Sequence, residues 1–294
     1  MTSDTNTKTL ERGEVINETY KVDFFIGEGA FGEVYRVKHK FFNDFQVMKV
    51  LKSKCVNDTN FDELVNEGRI LAKLTHPNIV RVFDVNTFKK NSKQYIFITM
   101  GFVSGESLAQ LLKRKIRIPV PEALSIMVDV LNGLNIAHSH KPTIVHRDIN
   151  LDNILLSYES DKPVGLLCDF GISVLLDQVS ELAGAGGRYL YFAPECFMNC
   201  YLPSSDIFSA GIVFYKMITG VQPWNYDFEK YKLNDKGDIE KMIHSGRKEA
   251  CKKPSLFNSE ISQKLDYIIL TSLENNMEKR YRTAGEFLEG LKNL

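Results

Sequence analysis

The sequence has no excess of charge of either sign, because 37 lysine and arginine residues balance 37 aspartate and glutamate residues. A balanced charge gives no overall attraction to nucleic acid or to an anionic membrane surface. We therefore expect neither nucleic acid nor a membrane as a partner. The length of 294 residues and the hydrophobic content of 44% indicate a globular protein with a sizeable core.

Cysteine is scarce and irregularly spaced. The five cysteines are an odd number, and none forms an array with histidine at zinc-binding spacing. Residues 1–18 lack the apolar stretch of a signal peptide, and the longest apolar segment, around residues 210–217, is too short to span a bilayer. These absences favour reduced thiols in a soluble, cytoplasmic protein.

A Gly-Lys-Ser/Thr sequence is also absent, which excludes a Walker-type phosphate loop. A glycine cluster is present instead, in which Gly27, Gly29 and Gly32 have the spacing G-x-G-x-x-G. Apolar alternation continues on both sides of the cluster, which predicts a loop between two strands rather than the helix start of a dinucleotide-binding fold. Backbone amides of glycine can approach phosphate closely, but an ordinary glycine-rich hairpin explains the spacing equally well.

The hydrophobic pattern of the first hundred residues is mostly that of strands. Residues 1–18 are polar and predict a flexible lead. Alternating apolar residues over 20–100 then predict a small antiparallel sheet, interrupted by one main helix over 61–74.

Beyond Gly105 the hydrophobic period becomes helical, with Pro121 at a predicted helix start. Further helices are expected near residues 209–219, 265–273 and 284–291, and short strands near 144–145, 154–156 and 166–168. The predicted fold class is therefore α+β, with a sheet first and helices after it.

Two charged residues occupy positions that are otherwise apolar. Glu67 lies on the apolar stripe of the first predicted helix, and Lys49 lies at the end of a hydrophobic strand. Burying either charge alone is costly, so one interpretation is that they pair. The alternative is that both side chains reach solvent from the edge of the core.

A polar loop, residues 146–153, lies between two apolar runs. Asp148 and Asn153 belong to this loop, and Asp169 ends the next apolar run. An asparagine and an aspartate at adjacent strand ends offer the oxygen ligands that Mg²⁺ prefers alongside phosphate. Taken singly, each residue is equally typical of a turn.

These residues, in this order, resemble the protein kinase family from about Tyr20 to the C-terminus. The motifs that carry the resemblance are the glycine loop, Val47-Met48-Lys49, Glu67, His146-Arg147-Asp148 to Asn153, Asp169-Phe170-Gly171, Ala193-Pro194-Glu195, Asp206 to Gly211 and Arg280. Each is modest alone, but the ordered set is highly specific. The resemblance implies a two-lobed domain over residues 19–294, with an N-lobe over 19–100, a hinge over 101–104 and a C-lobe over 105–294.

The resemblance also implies ATP and Mg²⁺ as cofactors and a protein as substrate. It implies that Lys49 holds the α- and β-phosphates and is itself held by Glu67. Asn153 and Asp169 would bind Mg²⁺, and Asp148 would accept the proton of the substrate hydroxyl. The implied nucleotide-binding residues are Ile26, Gly27, Gly29, Ala30, Phe31, Gly32, Val34, Val47, Lys49, Met100, Gly101, Val103 and Leu155.

Three further residues of the C-lobe gain a role from the resemblance. Glu195 and Arg280 are expected to form a buried ion pair. Asp206 is expected to brace the catalytic loop, with a plain helix N-cap as the alternative.

Two of the departures from the family change the charge near the implied catalytic aspartate; the others, Val47 where alanine is usual and Gly101 where an acidic residue is common, remove no chemistry. Asn150 stands where serine/threonine kinases generally carry lysine, and Arg188 stands where they carry threonine. We interpret this as a relocated charge, in which Arg188 supplies the cation near Asp148 as part of the catalytic set. The alternative is that Arg188 points to solvent or grips a substrate side chain.

The implied function is ATP-dependent transfer of the γ-phosphoryl group to serine or threonine hydroxyls of proteins. The alternatives are an ATP-binding scaffold without catalysis and a kinase for a small molecule. Retention of Lys49, Asp148 and Asp169 argues against the scaffold, and the Ala193-Pro194-Glu195 segment argues against the small-molecule kinase. The pattern specifies no oligomeric state.

Overall fold

A computed structural model describes residues 8–29, 32–52, 68, 70–170, 186–231 and 236–294. These residues divide into two compact units, described here one at a time. The N-terminal unit holds the described residues up to 75 and residues 81–102, and the C-terminal unit holds the rest. The chain passes between the units after Phe102, within the hinge predicted at 101–104.

The N-terminal unit is built on an antiparallel sheet of six described strands. These are β1 (Val15–Ile16), β2 (Tyr20–Glu28), β3 (Gly32–His39), β4 (Phe45–Leu51), β5 (Val82–Lys90) and β6 (Lys93–Gly101), in the spatial order β1-β2-β3-β4-β6-β5. One face of the sheet carries a core in which Tyr35, Met48 and Phe97 are fully buried. Asn91 and Ser92 turn the chain from β5 into β6 with positive φ angles of 49° and 62°, as a tight two-residue hairpin requires.

The prediction of a flexible lead is wrong for residues 8–18. Leu10 is 2% exposed and belongs to the sheet core, as does Ile16 in β1. The backbone N–H of Leu10 also donates to the hydroxyl of Tyr35 at 3.0 Å. The segment is polar on average, but two of its apolar side chains, those of Leu10 and Ile16, are buried in the core.

The segment before β2 also covers part of the sheet edge. Gly13 N–H donates to Val22 O at 2.8 Å, and Val22 N–H donates back to Glu14 O at 2.8 Å. Together with the pairing of β1 and β2, these bonds satisfy the first backbone groups of β2.

The helix predicted over 61–74 lies mostly outside the described residues. Of that range, Gly68, Ile70 and Leu71 are helical. The prediction of strands on both sides of it is confirmed.

The C-terminal unit is mainly helical. Its described helices are α1 (Leu108–Arg114), α2 (Val120–Ser139), α3 (Gly186–Tyr189), α4 (Pro203–Thr219), α5 (Lys236–Gly246), α6 (Gln263–Ser272) and α7 (Ala284–Lys292). A small sheet of β7 (Gly105–Ser107), β8 (Ile154–Ser157) and β9 (Val164–Leu167) completes it, in sequential order. The predicted α+β class, with an antiparallel sheet first and helices after it, is confirmed.

Two details of the C-terminal unit differ from prediction. Residues 144–145 form no strand, because Ile144 N–H bonds to Ala137 O at the end of α2 instead of to a neighbouring strand. Residues 76–80, predicted for the N-lobe, belong to the C-terminal unit. Val80 N–H donates to Leu167 O at 2.8 Å, which attaches this segment to β9.

The helix α2 is, by length and composition alone, apolar enough to cross a membrane. Half of its most apolar window is buried inside the structure.

Candidate active site

Lys49 lies near the end of β4, where the strand register fixes the face it occupies. It is directly opposite Val34 on β3 and Ile98 on β6. Residues opposite one another in an antiparallel sheet share a face, and successive residues alternate between faces. Lys49 therefore lies on the face opposite Tyr35 and Met48, away from the hydrophobic core, and is 7% exposed.

The glycine cluster joins β2 to β3, as its sequence context predicts. Gly29 N–H donates to Gly32 O at 2.9 Å across the turn. A Cβ atom at Gly32 would lie 2.3 Å from Val50 O, so no other residue fits there without moving β4. Gly32 is thus needed for packing, whatever else the loop does. Ala30 and Phe31 lie outside the described residues.

The residues implied to bind the nucleotide occupy both units. Ile26 is an exposed residue of β2, and Val47 on β4 is opposite buried Met100 on β6. Gly101 is the last residue of β6. Within the C-terminal unit, Leu155 lies on β8 opposite Ser107 and Leu166, and Val103 is half-buried.

Glu67, the predicted partner of Lys49, lies outside the described residues. The predicted ion pair between them stays a prediction.

In the C-terminal unit the carboxylate of Asp148 is held by side-chain amides. Asn153 Nδ2 donates to Asp148 Oδ2 at 2.9 Å and to its backbone carbonyl at 2.8 Å. Asn150 Nδ2 donates to the other carboxylate oxygen, Oδ1, at 3.0 Å. Arg188 Nε lies 3.4 Å from the same Oδ1. Both oxygens are therefore oriented, and a positive charge lies beside one of them.

Asp206 holds the loop that carries Asp148. It is buried in the first turn of α4 and accepts backbone N–H bonds from His146 at 2.7 Å and Arg147 at 2.8 Å. His138 Nε2 lies 2.9 Å from the same carboxylate. The N-cap of α4 is Leu202, so the interpretation of Asp206 as a plain N-cap is wrong and its bracing role is confirmed. Arg147 adopts a φ of 69°, a strained conformation that these bonds support.

His146 connects the Asp148 loop to the segment that carries Asp169. Its Nδ1 lies 3.3 Å from the N–H of Asp148, and its Nε2 lies 3.0 Å from the carbonyl of Cys168. This pattern assigns the proton to Nε2 in a neutral imidazole. Burial lowers the pKa of His146 and favours that neutral form, against the opposing charges of Asp206 and Asp148.

Asn153 and Asp169 are brought together by the backbone. Cys168 N–H donates to Asn153 O at 3.0 Å, so Asp169 directly follows a residue bonded to Asn153. Because the amide nitrogen of Asn153 faces Asp148, its amide oxygen is directed away and remains for a cation. Among the described residues no group of three or more histidine, cysteine or acidic side chains could hold a metal. The donors fit Mg²⁺, which takes one or two protein oxygens together with phosphate and water.

The expected buried ion pair is confirmed. Arg280 Nη1 lies 2.8 Å from Glu195 Oε1, and both residues are buried. Ser205 Oγ donates to the same oxygen at 2.7 Å. Burial acts to raise the pKa of Glu195, but the bonds from Arg280 and Ser205 lower it below its ordinary value.

Sequence reasoning missed Arg247, a buried residue just after α5. Its guanidinium donates to the backbone carbonyls of Phe192 and Leu190, two to four residues after Arg188. No spacing or motif marks this arginine, since it follows Gly246 in a polar segment that reads as surface.

Comparisons with known proteins agree with this geometry. The family described as Protein kinase domain matches residues 20–289. A probable serine/threonine-protein kinase of Clostridium perfringens is 31% identical over 96% of this chain and 39% of its own length. The probable serine/threonine-protein kinase PknB of Lactococcus lactis is 29% identical over 95% of this chain and 42% of its own length. This chain thus spans about two fifths of these relatives.

Solved structures show the same likeness. The crystal structure of the Mycobacterium tuberculosis PknI kinase domain, as a double mutant, matches with a TM-score of 0.73 and 25% identity. The match covers 97% of this chain and 98% of that one.

Proposed function

The chain belongs to the protein kinase domain family, and on that premise we propose that it transfers the γ-phosphoryl group of Mg-ATP to serine and threonine hydroxyls of proteins. The observation that carries the proposal is the oriented carboxylate of Asp148. A group that accepts a proton during catalysis must be positioned at the reacting hydroxyl, and two side-chain amides orient this one while an arginine lies beside it.

The reaction needs little covalent chemistry from the protein. The substrate hydroxyl oxygen bonds to the γ-phosphorus, the bond from that phosphorus to the β,γ-bridging oxygen breaks, and ADP leaves. Asp148 takes the hydroxyl proton. Catalysis then depends on positioning and on stabilising the charge of the transferring group.

The phosphate-holding residues of the proposal are in the N-terminal unit. Lys49 would bind the α- and β-phosphates, and the amides of Gly27 and Gly29 would cover them. Asn153 and Asp169 in the C-terminal unit would hold Mg²⁺, which neutralises phosphate charge when bound.

Arg188 is the proposed source of positive charge near the transferring group. Its ion pair with Asp148 supports this role, and its planar fork has donors suited to both carboxylate and phosphate oxygens. Asn150, at the position where relatives carry lysine, is neutral and is committed to orienting Asp148.

The test is phosphorylation by the purified chain. It would be incubated with Mg-ATP, a peptide library with serine, threonine and tyrosine acceptors, and small alcohols, and phosphate would be located by mass spectrometry. Phosphoserine and phosphothreonine are expected, and Asp148→Asn should abolish both. Asp161→Asn, the same exchange at an exposed turn, is the matched control.

Other outcomes would identify the competing functions. ATP binding without transfer to any acceptor would favour the scaffold. Phosphate on small alcohols alone would favour the small-molecule kinase.

A further inference from the structure

Arg247 is an arginine whose charge lies inside the C-terminal unit. It follows α5, is 8% exposed, and its N–H donates to Ile243 O at 3.0 Å. Its guanidinium packs over the rings of Phe208 and Trp224, with its central carbon 4.9 and 5.0 Å from the two ring centres. These contacts hold the planar group in one orientation.

The hydrogen bonds of Arg247 go to neutral oxygens. Nη1 donates to Phe192 O at 2.6 Å, Nη2 to Leu190 O at 3.0 Å and Nε to the Tyr226 hydroxyl at 3.3 Å. Burial lowers the pKa of Arg247, which records the cost of removing this cation from water. The carbonyls compensate that cost, so displacing them would leave a poorly solvated charge.

The two carbonyls belong to the segment that positions Arg188. Tyr191 N–H donates to Arg188 O at 3.0 Å, and Phe192 N–H donates to Tyr189 O at 3.1 Å. The short helix α3 therefore runs directly into the residues that Arg247 holds. Phe192 touches both arginines, because its carbonyl accepts from Arg247 and its ring lies 5.5 Å from the guanidinium carbon of Arg188.

We infer that Arg247 is a positioning residue, which fixes Arg188 beside Asp148 by holding the Leu190 and Phe192 carbonyls. The effect of Arg247 on catalysis rests on the proposed function. Its effect on the position of the Leu190 and Phe192 carbonyls does not. Under this inference, the residue that follows α5 helps to place the Arg188 cation beside the Asp148 carboxylate.

The structural consequence is tested without any assay of activity. In Arg247→Met the amides of Tyr191 and Phe192 should exchange with deuterium faster, on the order of tenfold or more, since bonds to a charged group are lost. Arg247→Lys keeps the charge but has no planar fork, so its exchange should be intermediate. Arg117→Met is the control, because exposed Arg117 also donates to a carbonyl, that of Phe257, but lies elsewhere.

The catalytic consequence is tested by kinetics in two backgrounds. Arg247→Met should lower kcat with little change in KM for ATP. In the background Asn150→Lys with Arg188→Thr, the cation is on the catalytic loop and no longer depends on Arg247. There the effect of Arg247→Met on kcat should shrink, which a general loss of stability would not produce.

The outcomes separate this inference from the proposed function. Unchanged exchange at Tyr191 and Phe192 in both Arg247 variants would overturn the inference, whatever the activity. An equal kcat loss in both backgrounds would also overturn it, because Arg247 would then act independently of Arg188. Absence of phosphoryl transfer by the unmodified chain would remove the proposed function, and the exchange result would still decide whether Arg247 positions the segment.

Discussion

Arg188 and Asp148 form an ion pair, with Nε of the arginine 3.4 Å from Oδ1 of the aspartate. The arginine side chain is 10% exposed, so the interpretation that it points into solvent is wrong. Its place beside the carboxylate is the one that a relocated cation requires. Its part in catalysis stays a prediction, and it can be tested directly.

The first prediction is a double-mutant cycle on the relocated cation. Arg188→Thr should lower kcat/KM on the order of 10² to 10³-fold, because a preorganised donor to the transferring group is lost. Asn150→Lys alone should bring no gain, since two cations would crowd one carboxylate. The double variant should recover activity, measured with one peptide; additive effects with a near-normal Arg188→Thr would contradict the relocation.

The second prediction concerns phosphate binding and proton acceptance. Lys49→Met and Asp148→Asn should each reduce phosphoryl transfer by at least about 10²-fold while the chain stays folded, since neither side chain forms the core. Radiolabel transfer and circular dichroism measure the two properties. Lys40→Met, at an exposed position of the N-terminal unit that also holds Lys49, is the control and should behave like the unmodified chain. Full turnover in the Lys49 and Asp148 variants would place the chemistry elsewhere.

The third prediction concerns stability and the ion pair between Glu195 and Arg280. Arg280→Met should reduce the free energy of unfolding by about 3–5 kcal/mol, because it leaves a buried carboxylate without its cation. The folded pKa of Glu195 is lowered, so the stabilisation is present above the ordinary glutamate pKa and is lost as the pH falls through the folded pKa.

The gap in unfolding free energy between the unmodified chain and Arg280→Met should therefore persist above the ordinary glutamate pKa of about 4.3 and narrow as the pH falls below about pH 4. Denaturant titrations at several pH values measure it, with exposed Arg282→Met as the control. A gap that stays constant with pH would show that Glu195 is not the linked group.

The fourth prediction is that full activity needs no phosphorylation of the activation segment. Residues 183–186 are alanine and glycine, so no hydroxyl lies where the family's main phosphosite usually falls. Asp177 or Glu181 would give Arg147 a fixed negative partner, and both acidic residues lie outside the described part of the chain. Phosphatase treatment should leave the rate unchanged. A loss of activity on phosphatase treatment, together with the same loss in Ser180→Ala, would refute this prediction.

The fifth prediction is a preference for threonine over serine acceptors. Ile172, which also lies outside the described residues, directly follows Gly171, and a β-branched residue there is associated with threonine acceptors in relatives. Its stiff side chain would shape the wall beside the acceptor. Paired peptides that differ only in the acceptor decide it through kcat/KM, and faster serine phosphorylation would rule the idea out.

Several features of the site were predictable because a motif fixes them. The buried pair of Glu195 and Arg280 and the bracing carboxylate of Asp206 are both present. The proximity of Arg188 to Asp148 was predictable for a different reason. Asn150 replaces the usual lysine and Arg188 replaces the usual threonine, which suggested that one positive charge had moved from the first position to the second. Such a change of charge can be read from residue types alone.

Other features depend on tertiary contacts that leave no local signal. Leu10 is one apolar residue in a polar segment, so no period marks it. Residues 144–145 have the residue types of a strand but find their bonding partner at the end of α2. Arg247 reads as surface charge, and only the packed C-terminal unit supplies its carbonyl partners.

The residues before Tyr20 protect the β2 edge of the N-terminal sheet. A chain begun at Tyr20, where the family match starts, would lose β1, the bond that Gly13 N–H donates to Val22 O and the bond that Glu14 O accepts from Val22 N–H. The nine-residue strand β2 would then be an open edge, with unpaired N–H and C=O groups able to pair with another molecule. Loss of Leu10 and Ile16 would also bare apolar surface beside that edge. Such a shortened chain should self-associate more readily, because β1 and the bonds beside it cover the first residues of that edge.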